Sequence, residues 1–274
     1  MLLSEKIYLC KVNDYIMIKI SGVVITYNEE KYIENCIQSM LEIADEIVIV
    51  DSYSTDRTKE ICLKYNVRFI EQKFLGYIEQ KNYANSLANG EYILSLDADE
   101  ALSEELKKEV KALKQSNNLA DGYWVNRLNN YCGTWIKYSH WYPDKRIRLF
   151  KKDSGEWQGG NPHDFYTMYP NKKTAKIDAD ILHWAYDSIS EHYLKIDNFT
   201  TIAAHSYIKN KNKKVGFVKI VFNPFWKFFQ GYFLKKGFLD GFQGFVICCF
   251  ASFGTFLKYV KIRELQQNAK KQSV

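Results

Sequence analysis

The stretch that decides the fold is "EYILSLDADE" at residues 91–100, in which three carboxylates follow directly on an apolar run. The run is short and almost continuously apolar, which is typical of a strand buried on both faces of a parallel sheet. Asp97, Asp99 and Glu100 would then stand at the carboxyl end of that strand. The alternative is that these acids only cap a helix that begins near Leu102.

Three further runs of this kind come earlier in the chain, and segments of helical character separate them. The predicted strands span residues 18–27, 46–51, 67–72 and 91–97, and the predicted helices span residues 29–41, 54–65, 77–88 and 103–115. The first helix has apolar residues at helical spacing, the second begins with capping residues, and the last has acids before lysines, as the helix dipole favours. This alternation predicts an α/β sheet with right-handed crossovers.

The pattern changes after Asp121. Residues 122–131 and 145–152 resemble strands of a mixed or antiparallel region, and "GEWQGGNPHDF" at 155–165 is predicted to be a glycine-rich loop. From about Ser188 the chain is predicted to be helical. The sequence is therefore divided into an extension at 1–17, an α/β domain at 18–187 and a helical C-terminal region at 188–274.

Polar groups end three of the predicted strands, at Thr26 to Glu30, at Asp51 and Ser52, and at Asp97 to Glu100. The carboxyl ends of parallel strands share one edge of a sheet, where ligands bind. Carboxylates that meet there repel one another and lose hydration, and a divalent cation offsets both costs. Oxygen ligands without nearby thiolates favour Mg²⁺ or Mn²⁺, and such a metal usually binds substrate phosphates.

Several phosphate-binding and metal-binding classes are not supported by the motifs present. The chain has no GxxxxGK[ST] sequence and no GxGxxG after its first strand. Ala101 and Leu102 occupy positions where an EF-hand needs an oxygen ligand and a glycine. Phosphatases of the haloacid-dehalogenase type carry their DxD after the first core strand, whereas here it ends the fourth.

Composition indicates a folded chain in a reducing compartment. Of the 274 residues, 46% are hydrophobic and 26% charged, which argues against global disorder. The six cysteines show neither a CxxC pair nor zinc spacing. Residues 1–16 lack the features of a signal peptide, so we expect a weakly ordered extension or a translation start at Met17.

Four segments in order carry a resemblance to a known family. They are "VVITYNEEKYIENCIQSM", "DEIVIVDSYSTDRTKEI", "QKNYANSLANGEYILSLDADE" and "RLF" at 148–150. Together they resemble family 2 glycosyltransferases of the GT-A fold over roughly residues 18–185. A finer resemblance is to bacterial lipopolysaccharide-core β-1,4-glucosyltransferase-like enzymes, which have a "VHE"-like motif where this chain has Pro162, His163 and Asp164, and a tail similar to residues 237–264.

The resemblance implies a GT-A sheet of Rossmann-like, mixed type flanked by helices, with a nucleoside-diphosphate sugar as donor, a UDP-sugar being favoured. It also implies inversion at the transferred sugar and a role for each matching residue. Thr26, Asn28, Glu29 and Asp51 would line the nucleoside pocket, Lys81 would face the diphosphate, Asp97 would bind the nucleotide side, and Asp99 would coordinate the metal. For Lys81, a role as a solvated helix lysine is the alternative.

An inverting transfer also needs a general base across the anomeric carbon from the diphosphate, and the second half of the chain should supply it. Asp164 is the first candidate, with His163 binding metal or orienting the base, and Asp144 is the second candidate. Two further groups have open roles. Arg146 and Arg148 would meet phosphates or the acceptor, or simply point outward from a strand, and His183 is either a metal or diphosphate contact or a satisfied buried histidine.

The C-terminal region is basic and aromatic, and the whole chain has a net charge of +6. Such a tail could meet nucleic acid or an anionic membrane, and its phenylalanines favour the membrane and argue against nucleic acid. Residues 241–257 are apolar over about the minimum length of a bilayer span, and the preceding segment interleaves lysine with aromatics as interfacial helices do. We expect a tail on the cytoplasmic membrane face; a helical subdomain packed on the sheet and a homodimer interface are the alternatives.

Three hypotheses follow. The first is a cytoplasmic, membrane-associated glycosyltransferase that uses a nucleotide-sugar donor and a glycan or lipid-linked acceptor in bacterial cell-surface polysaccharide or lipopolysaccharide synthesis. The second is a metal-dependent phosphatase or nucleotidyltransferase that uses the same carboxylates. The third is a non-catalytic membrane or scaffold protein.

Overall fold

Strands and helices alternate through the first half of the protein, as the apolar pattern predicts. The computed structural model describes residues 17–160, 163–210 and 214–272, so the predicted N-terminal extension at 1–16 lies outside the described residues. The strands are β1 (Ile20–Thr26), β2 (Glu46–Asp51), β3 (Arg68–Glu71), β4 (Tyr92–Asp97), β5 (Glu100–Leu102), β6 (Gly122–Tyr131), β7 (Thr134–Ile136), β8 (Asp144–Lys151), β9 (Gly155–Gly160), β10 (His163–Met168) and β11 (Thr174–Tyr186). The helices are α1 (Ile33–Met40), α2 (Thr58–Cys62), α3 (Tyr77–Ser86), α4 (Glu104–Lys114), α5 (Ile189–Asn210), α6 (Phe217–Phe229) and α7 (Gly241–Gln272).

One mixed sheet organises these elements in the order β3-β2-β1-β4-β8-β6-β11-β5, with β7 paired to β6. β3, β2, β1 and β4 are parallel, and β8 runs antiparallel to both β4 and β6. The chain leaves β1 toward β2 and later returns to its other side with β4, so the strand order reverses at β1. Such a switch point leaves a crevice beyond the carboxyl ends of the strands, where open sheets bind ligands.

The continuous apolar runs are explained by burial on both faces of the sheet. Ile20 and Val24 of β1 pack with α1, α2 and α4 on one face. Val23 points the other way, toward α3 and the β9–β10 pair. Because successive strand residues face opposite sides, a strand covered on both faces needs apolar residues at nearly every position.

The segment 155–165 is predicted to be a glycine-rich loop, but its described residues, 155–160 and 163–165, lie on two paired strands. β9 and β10 are antiparallel, with Asp164 opposite Gly159, so that prediction is wrong and Asp164 lies on a strand. A Cβ on Gly155 would come within 2.2 Å of the Thr167 carbonyl oxygen, so this glycine permits close pairing of two strands and does not mark a loop. Trp157 and Tyr166 anchor the pair in the core.

The helical C-terminal region packs on itself and on the sheet. α5, α6 and α7 share a small core around Ala204, Ile220 and Ile262. Asp240, just before α7, accepts hydrogen bonds of 3.0 Å from the backbone N–H groups of Lys137 and Tyr138. By length and composition alone, the segment Gly237–Ala269 could cross a membrane, and only 17% of its most apolar window is buried.

Candidate active site

A cavity of about 790 Å³ opens at the carboxyl ends of the parallel strands, where the crevice is expected. We call it the main cavity. It brings together most of the residues that the sequence singles out, although they come from four different strands, one helix and two loops. Its walls include Thr26, Glu29, Lys81, Asp97, Asp99, Asp164 and His183.

Asp97, the first acid of the "DADE" run, is held by two cations of the protein itself. Its carboxylate lies 2.7 Å from Lys81 Nζ and 2.8 Å from Arg148 Nη2. Burial alone would raise the pKa of Asp97, but Arg148 and Lys81 outweigh it and hold the pKa well below its usual range. Asp97 is therefore a permanent anion that positions two cations at the cavity wall.

Glu100, the last acid of the run, is fully buried and also paired. It contacts Arg148 Nη2 at 2.8 Å and Arg127 Nη1 at 3.3 Å, and it accepts a hydrogen bond from the Asp97 backbone N–H. The helix that follows is capped by Ser103 instead, whose hydroxyl accepts from the Leu106 N–H. The capping alternative for the acids is thus wrong, and so is an outward position for Arg148, which is buried.

Asp99 differs from its two neighbours because no Lys or Arg pairs with it in the described parts of the chain. Its Oδ2 lies 3.3 Å from His183 Nε2. The other ring nitrogen, Nδ1, lies 2.6 Å from Asn129 Oδ1, and the amide of Asn129 donates to the Trp141 carbonyl oxygen. These bonds fix Asn129 and make Nδ1 the donor, so in the neutral ring a lone pair on Nε2 faces the Asp99 carboxylate.

With the ring neutral, His183 Nε2 and the Asp99 carboxylate are both acceptors, and a cation between or beside them would bind both. No group of three or more His, Cys, Asp or Glu side chains within the described residues is arranged to hold a metal. Asp99 and His183 could supply two ligands, and Mg²⁺ or Mn²⁺ commonly takes the rest of its shell from water and substrate phosphates. The donor set therefore fits the predicted cation only together with a phosphate-bearing substrate.

Lys81 links the two halves of the site. Its ammonium contacts Asp97 and Asp164 at 2.7 Å each, and it lies 4.4 Å from the ring centroid of Trp157. Only 4% of the residue is exposed, so its description as a solvated helix lysine is wrong. A buried cation shared by two carboxylates fixes the distance between the β4 end and β10.

Two residues at the end of β1 and just beyond it, Thr26 and Glu29, give the cavity polar groups without a full set of partners. The hydroxyl of Thr26 is buried and has no hydrogen-bond partner among the residues described. Burial raises the pKa of Glu29 to about 7, and the nearby charge of Asp99 adds to the effect. An unpaired hydroxyl and a carboxyl under like-charge repulsion are both features of sites that are completed by a ligand.

Asn28 and Asp51 are not among the residues that line the main cavity, but both hold the loop after β2. Asp51 accepts from the Ser54 N–H and hydroxyl, and Asn28 accepts from the Thr55 N–H. Asn28 has a φ of 53°, a left-handed conformation that asparagine tolerates. Their contact with a nucleoside stays a prediction.

Two other site candidates, Asp144 and His163, come from the second half of the chain. Asp144 lies outside the main cavity and binds Arg127 and Arg146, which outweigh burial and lower its pKa. His163 begins β10, but its side chain, like all of Pro162, lies outside the described part of the chain.

Four residues of the cavity wall were missed by sequence reasoning. Three are exposed aromatics and one is a lysine of α5: Tyr27, Phe74, Tyr77 and Lys195. Their positions in the chain could have identified two of them, because Tyr27 directly follows β1 and Phe74 follows β3. Exposed rings beside a polar cavity can stack on a planar ligand such as a nucleobase.

The fold and the site together define a glycosyltransferase of the GT-A fold. The sequence model described as "Glycosyl transferase family 2" matches residues 21–178, and the chain belongs to that family. Membership selects the transferase from the three hypotheses of the sequence analysis.

Similar proteins cover nearly the whole chain. An uncharacterized glycosyltransferase of Rickettsia bellii is 30% identical over 262 residues, which are 90% of this chain and 87% of the relative. The lipopolysaccharide core biosynthesis glycosyltransferase LpsC of Rhizobium meliloti is 28% identical over 249 residues, covering 89% and 91%. Among solved structures, the mannosyltransferase PcManGT of Pyrobaculum calidifontis superimposes with a TM-score of 0.53 at 15% identity, covering 89% of this chain and 87% of that one, which supports the fold.

Proposed function

We propose that the protein transfers a sugar, with inversion, from a nucleoside-diphosphate donor to a glycan or lipid-linked acceptor of the bacterial cell surface. A UDP-sugar is the favoured donor. The observation that carries the proposal is the main cavity, whose wall holds Asp99 and His183 together with Lys81 and Asp164. The similarity to LpsC, a lipopolysaccharide core biosynthesis enzyme, supports this class of acceptor.

The donor is proposed to bind with its base near Tyr27 and Phe74 and its diphosphate near Asp99 and Lys81. Asp99 and His183 are the proposed ligands of Mg²⁺ or Mn²⁺. PcManGT, which has the same fold, was solved in complex with GDP-Man and Mn²⁺, a nucleotide sugar together with a divalent cation. When bound, such a cation stabilises negative charge on the departing diphosphate. Thr26, Asn28, Glu29, Asp51 and Asp97 complete the proposed donor site.

Asp164 is the proposed general base. It would take the proton of the acceptor hydroxyl while that oxygen bonds to the anomeric carbon and the bond from that carbon to the diphosphate breaks. The nucleoside diphosphate leaves with the bonding electron pair. Lys81 touches Asp164 and lines the same cavity as Asp99, so it would hold the base in place beside the donor site.

The C-terminal region is proposed to rest on the cytoplasmic face of the membrane, and the boundary between it and the catalytic domain is proposed at residues 187 and 188. Large apolar side chains of α6 are exposed, among them Phe217, Phe222 and Phe225. Exposed phenylalanines interleaved with lysines suit a lipid headgroup surface. That position would bring the catalytic cavity close to a lipid-linked acceptor.

The test is calorimetric binding of UDP, GDP, CDP and dTDP, each with and without Mn²⁺, to the wild type and to Asp99→Asn. We expect one nucleotide to bind tightly only with metal, and the substitution to weaken it by at least about tenfold, or 1.4 kcal/mol. Asp121→Asn, which changes an acid remote from the main cavity, is the matched control. Absence of nucleotide binding by the folded wild type would refute the donor site.

A further inference from the structure

A second cavity, of about 420 Å³, adjoins the main cavity. We call it the side cavity. It shares Lys81, Asp97 and Asp164 with the main cavity. Asp164 therefore borders both spaces, and a molecule in the side cavity would face a molecule in the main cavity across this carboxylate.

Cations dominate the wall of the side cavity. Five of its lining side chains are cationic, namely Lys81, Arg127, Lys145, Arg146 and Arg148, against the carboxylates of Asp97 and Asp164. Glu100 and Asp144, which pair with these arginines, bring the acids to four.

Five cations against four acids leave one positive charge, which we assign to Lys145. It has no ion-pair partner within 4 Å in the described chain, and it stands next to Arg146 on β8. An unpaired lysine beside an arginine in a cavity is suited to bind an anion.

Two buried N–H donors in the same wall have no partner. Arg148 Nε and Trp157 Nε1 make no hydrogen bond to any residue that the structure describes. Buried donors are rarely left unpaired, because each unmet donor costs about 1–3 kcal/mol. A ligand rich in acceptor oxygens would satisfy a wall of this kind.

Aromatic rings supply the apolar part of the side cavity. Trp124 and Phe165 line it and are 38% and 50% exposed. Flat exposed rings can cover the C–H face of a sugar, while the polar groups around them fix its hydroxyls. Charge, unpaired donors and rings together describe a ligand that is both a sugar and an anion.

We infer that the side cavity is the acceptor subsite and that the acceptor unit carries a negative charge, as a phosphate or a carboxylate. The inference rests on the proposed function and adds the chemical class of the acceptor. The acceptor hydroxyl would lie against Asp164, its ring against Trp124 or Phe165, and its anionic group near Lys145 and Arg146.

The test is a ligand-observed NMR titration of three sugars in the presence of saturating UDP and Mg²⁺, which occupy the main cavity. The sugars are glucose 6-phosphate, glucuronate and glucose, which separate a phosphate from a carboxylate and both from a neutral ring. The proteins are the wild type, Lys145→Gln and Lys145→Gln/Arg146→Gln. Lys151→Gln, an exposed lysine on the same strand that lines neither cavity, is the matched control.

We expect at least one anionic sugar to bind about tenfold more tightly than glucose, and the double variant to weaken it about fivefold or more. The single variant should show a smaller loss, and Lys151→Gln should equal the wild type. Equal affinity for glucose, no effect of the double variant, or no binding of any sugar would overturn the inference. UDP affinity is measured in a separate titration of the same protein preparations. If UDP binds but the sugars fail as described, only the acceptor subsite is refuted, and if UDP does not bind either, the proposed function fails with it.

Discussion

The three acids of the "DADE" run differ in whether a cation of the protein compensates their charge. Asp97 and Glu100 are neutralised by Arg148, Lys81 and Arg127, whereas no Lys or Arg of the described chain pairs with Asp99. Three acids so close together are tolerated because cations from distant segments compensate two of them. The chemistry of the run therefore depends on a single carboxylate.

The first prediction concerns Asp164 as the proposed general base. Asp164→Asn should lower kcat by about 10²–10⁴-fold, since an amide cannot accept the acceptor proton, while UDP affinity changes little. Transfer and UDP binding are measured side by side for Asp164→Asn, Asp144→Asn and the exposed control Asp178→Asn. A loss of kcat in Asp144→Asn but not in Asp164→Asn would assign the base to Asp144.

The buried ion network makes the second prediction. Arg148→Met should lower the free energy of unfolding by about 3–5 kcal/mol, because Asp97 and Glu100 would each lose a partner inside the protein. Urea denaturation measures the change. Lys151 is on the same strand as Arg148, and Lys151→Met removes its exposed ion pair with Glu91, which should cost less than about 1 kcal/mol. An Arg148→Met protein as stable as this control would contradict the compensation argument.

Elements position the site through their order in the sheet. β1, β2 and β4 end at one edge, and β8, β10 and β11 bring Arg148, Asp164 and His183 to the same place. The C-terminal helices join this sheet at an aromatic cluster around His192, which contacts Tyr131, Trp141, Tyr186 and Phe250. That junction ties α5 and α7 to the strands that carry the site.

The junction should respond to pH. Burial, with a smaller effect of Lys195, lowers the pKa of His192 to about 4, whereas an unfolded histidine titrates near about 6.5. Between these values the unfolded chain binds a proton that the folded chain does not, so the free energy of unfolding falls as pH falls. The slope from this group is at most about 1.4 kcal/mol per pH unit.

Chemical denaturation between pH 6.5 and 4 measures this slope. His192→Gln should flatten the pH dependence, and His205→Gln, which removes an exposed histidine of α5, should leave it as in the wild type. Identical slopes in the wild type and His192→Gln would show that another group controls stability in acid.

At the scale of the whole molecule, a catalytic sheet is joined to a helical region with an apolar surface. The exposed phenylalanines of α6 and the apolar segment Gly237–Ala269 belong to the same part of the chain as the lysines at 227, 235 and 236. Apolar area and positive charge on one region are the two contributions that bind a peripheral protein to anionic lipid.

Vesicle binding tests this arrangement. Phe217→Ser/Phe222→Ser/Phe225→Ser should reduce sedimentation with phosphatidylglycerol vesicles by about 100-fold or more, since each buried phenylalanine contributes about 1.5–3 kcal/mol. UDP binding should persist. Leu41→Ser/Leu63→Ser, which removes exposed apolar residues of the catalytic domain, should bind vesicles like the wild type. The homodimer interface would be favoured by a different result: the wild type does not bind vesicles but forms a dimer, and the triple variant is a monomer.

The sequence by itself determined the parallel half of the sheet and the identity of the principal acids. Strands β1 to β4 and helices α1, α3 and α4 follow from local patterns, because a strand buried on both faces and an amphipathic helix each carry their signal within a few residues. Ordered motifs such as "SLDADE" determined the family in the same way.

The tertiary structure alone decided which charges are compensated and which segments pair. Arg148 lies 51 residues from Asp97, and Lys81 lies 83 from Asp164, so no local pattern connects them. The β9–β10 pair was missed because its glycines resemble a loop until the partner strand is in place. Only the whole fold brings Asp99, which pairs with no Lys or Arg of the described chain, into one cavity with the buried Lys81 and the candidate base Asp164.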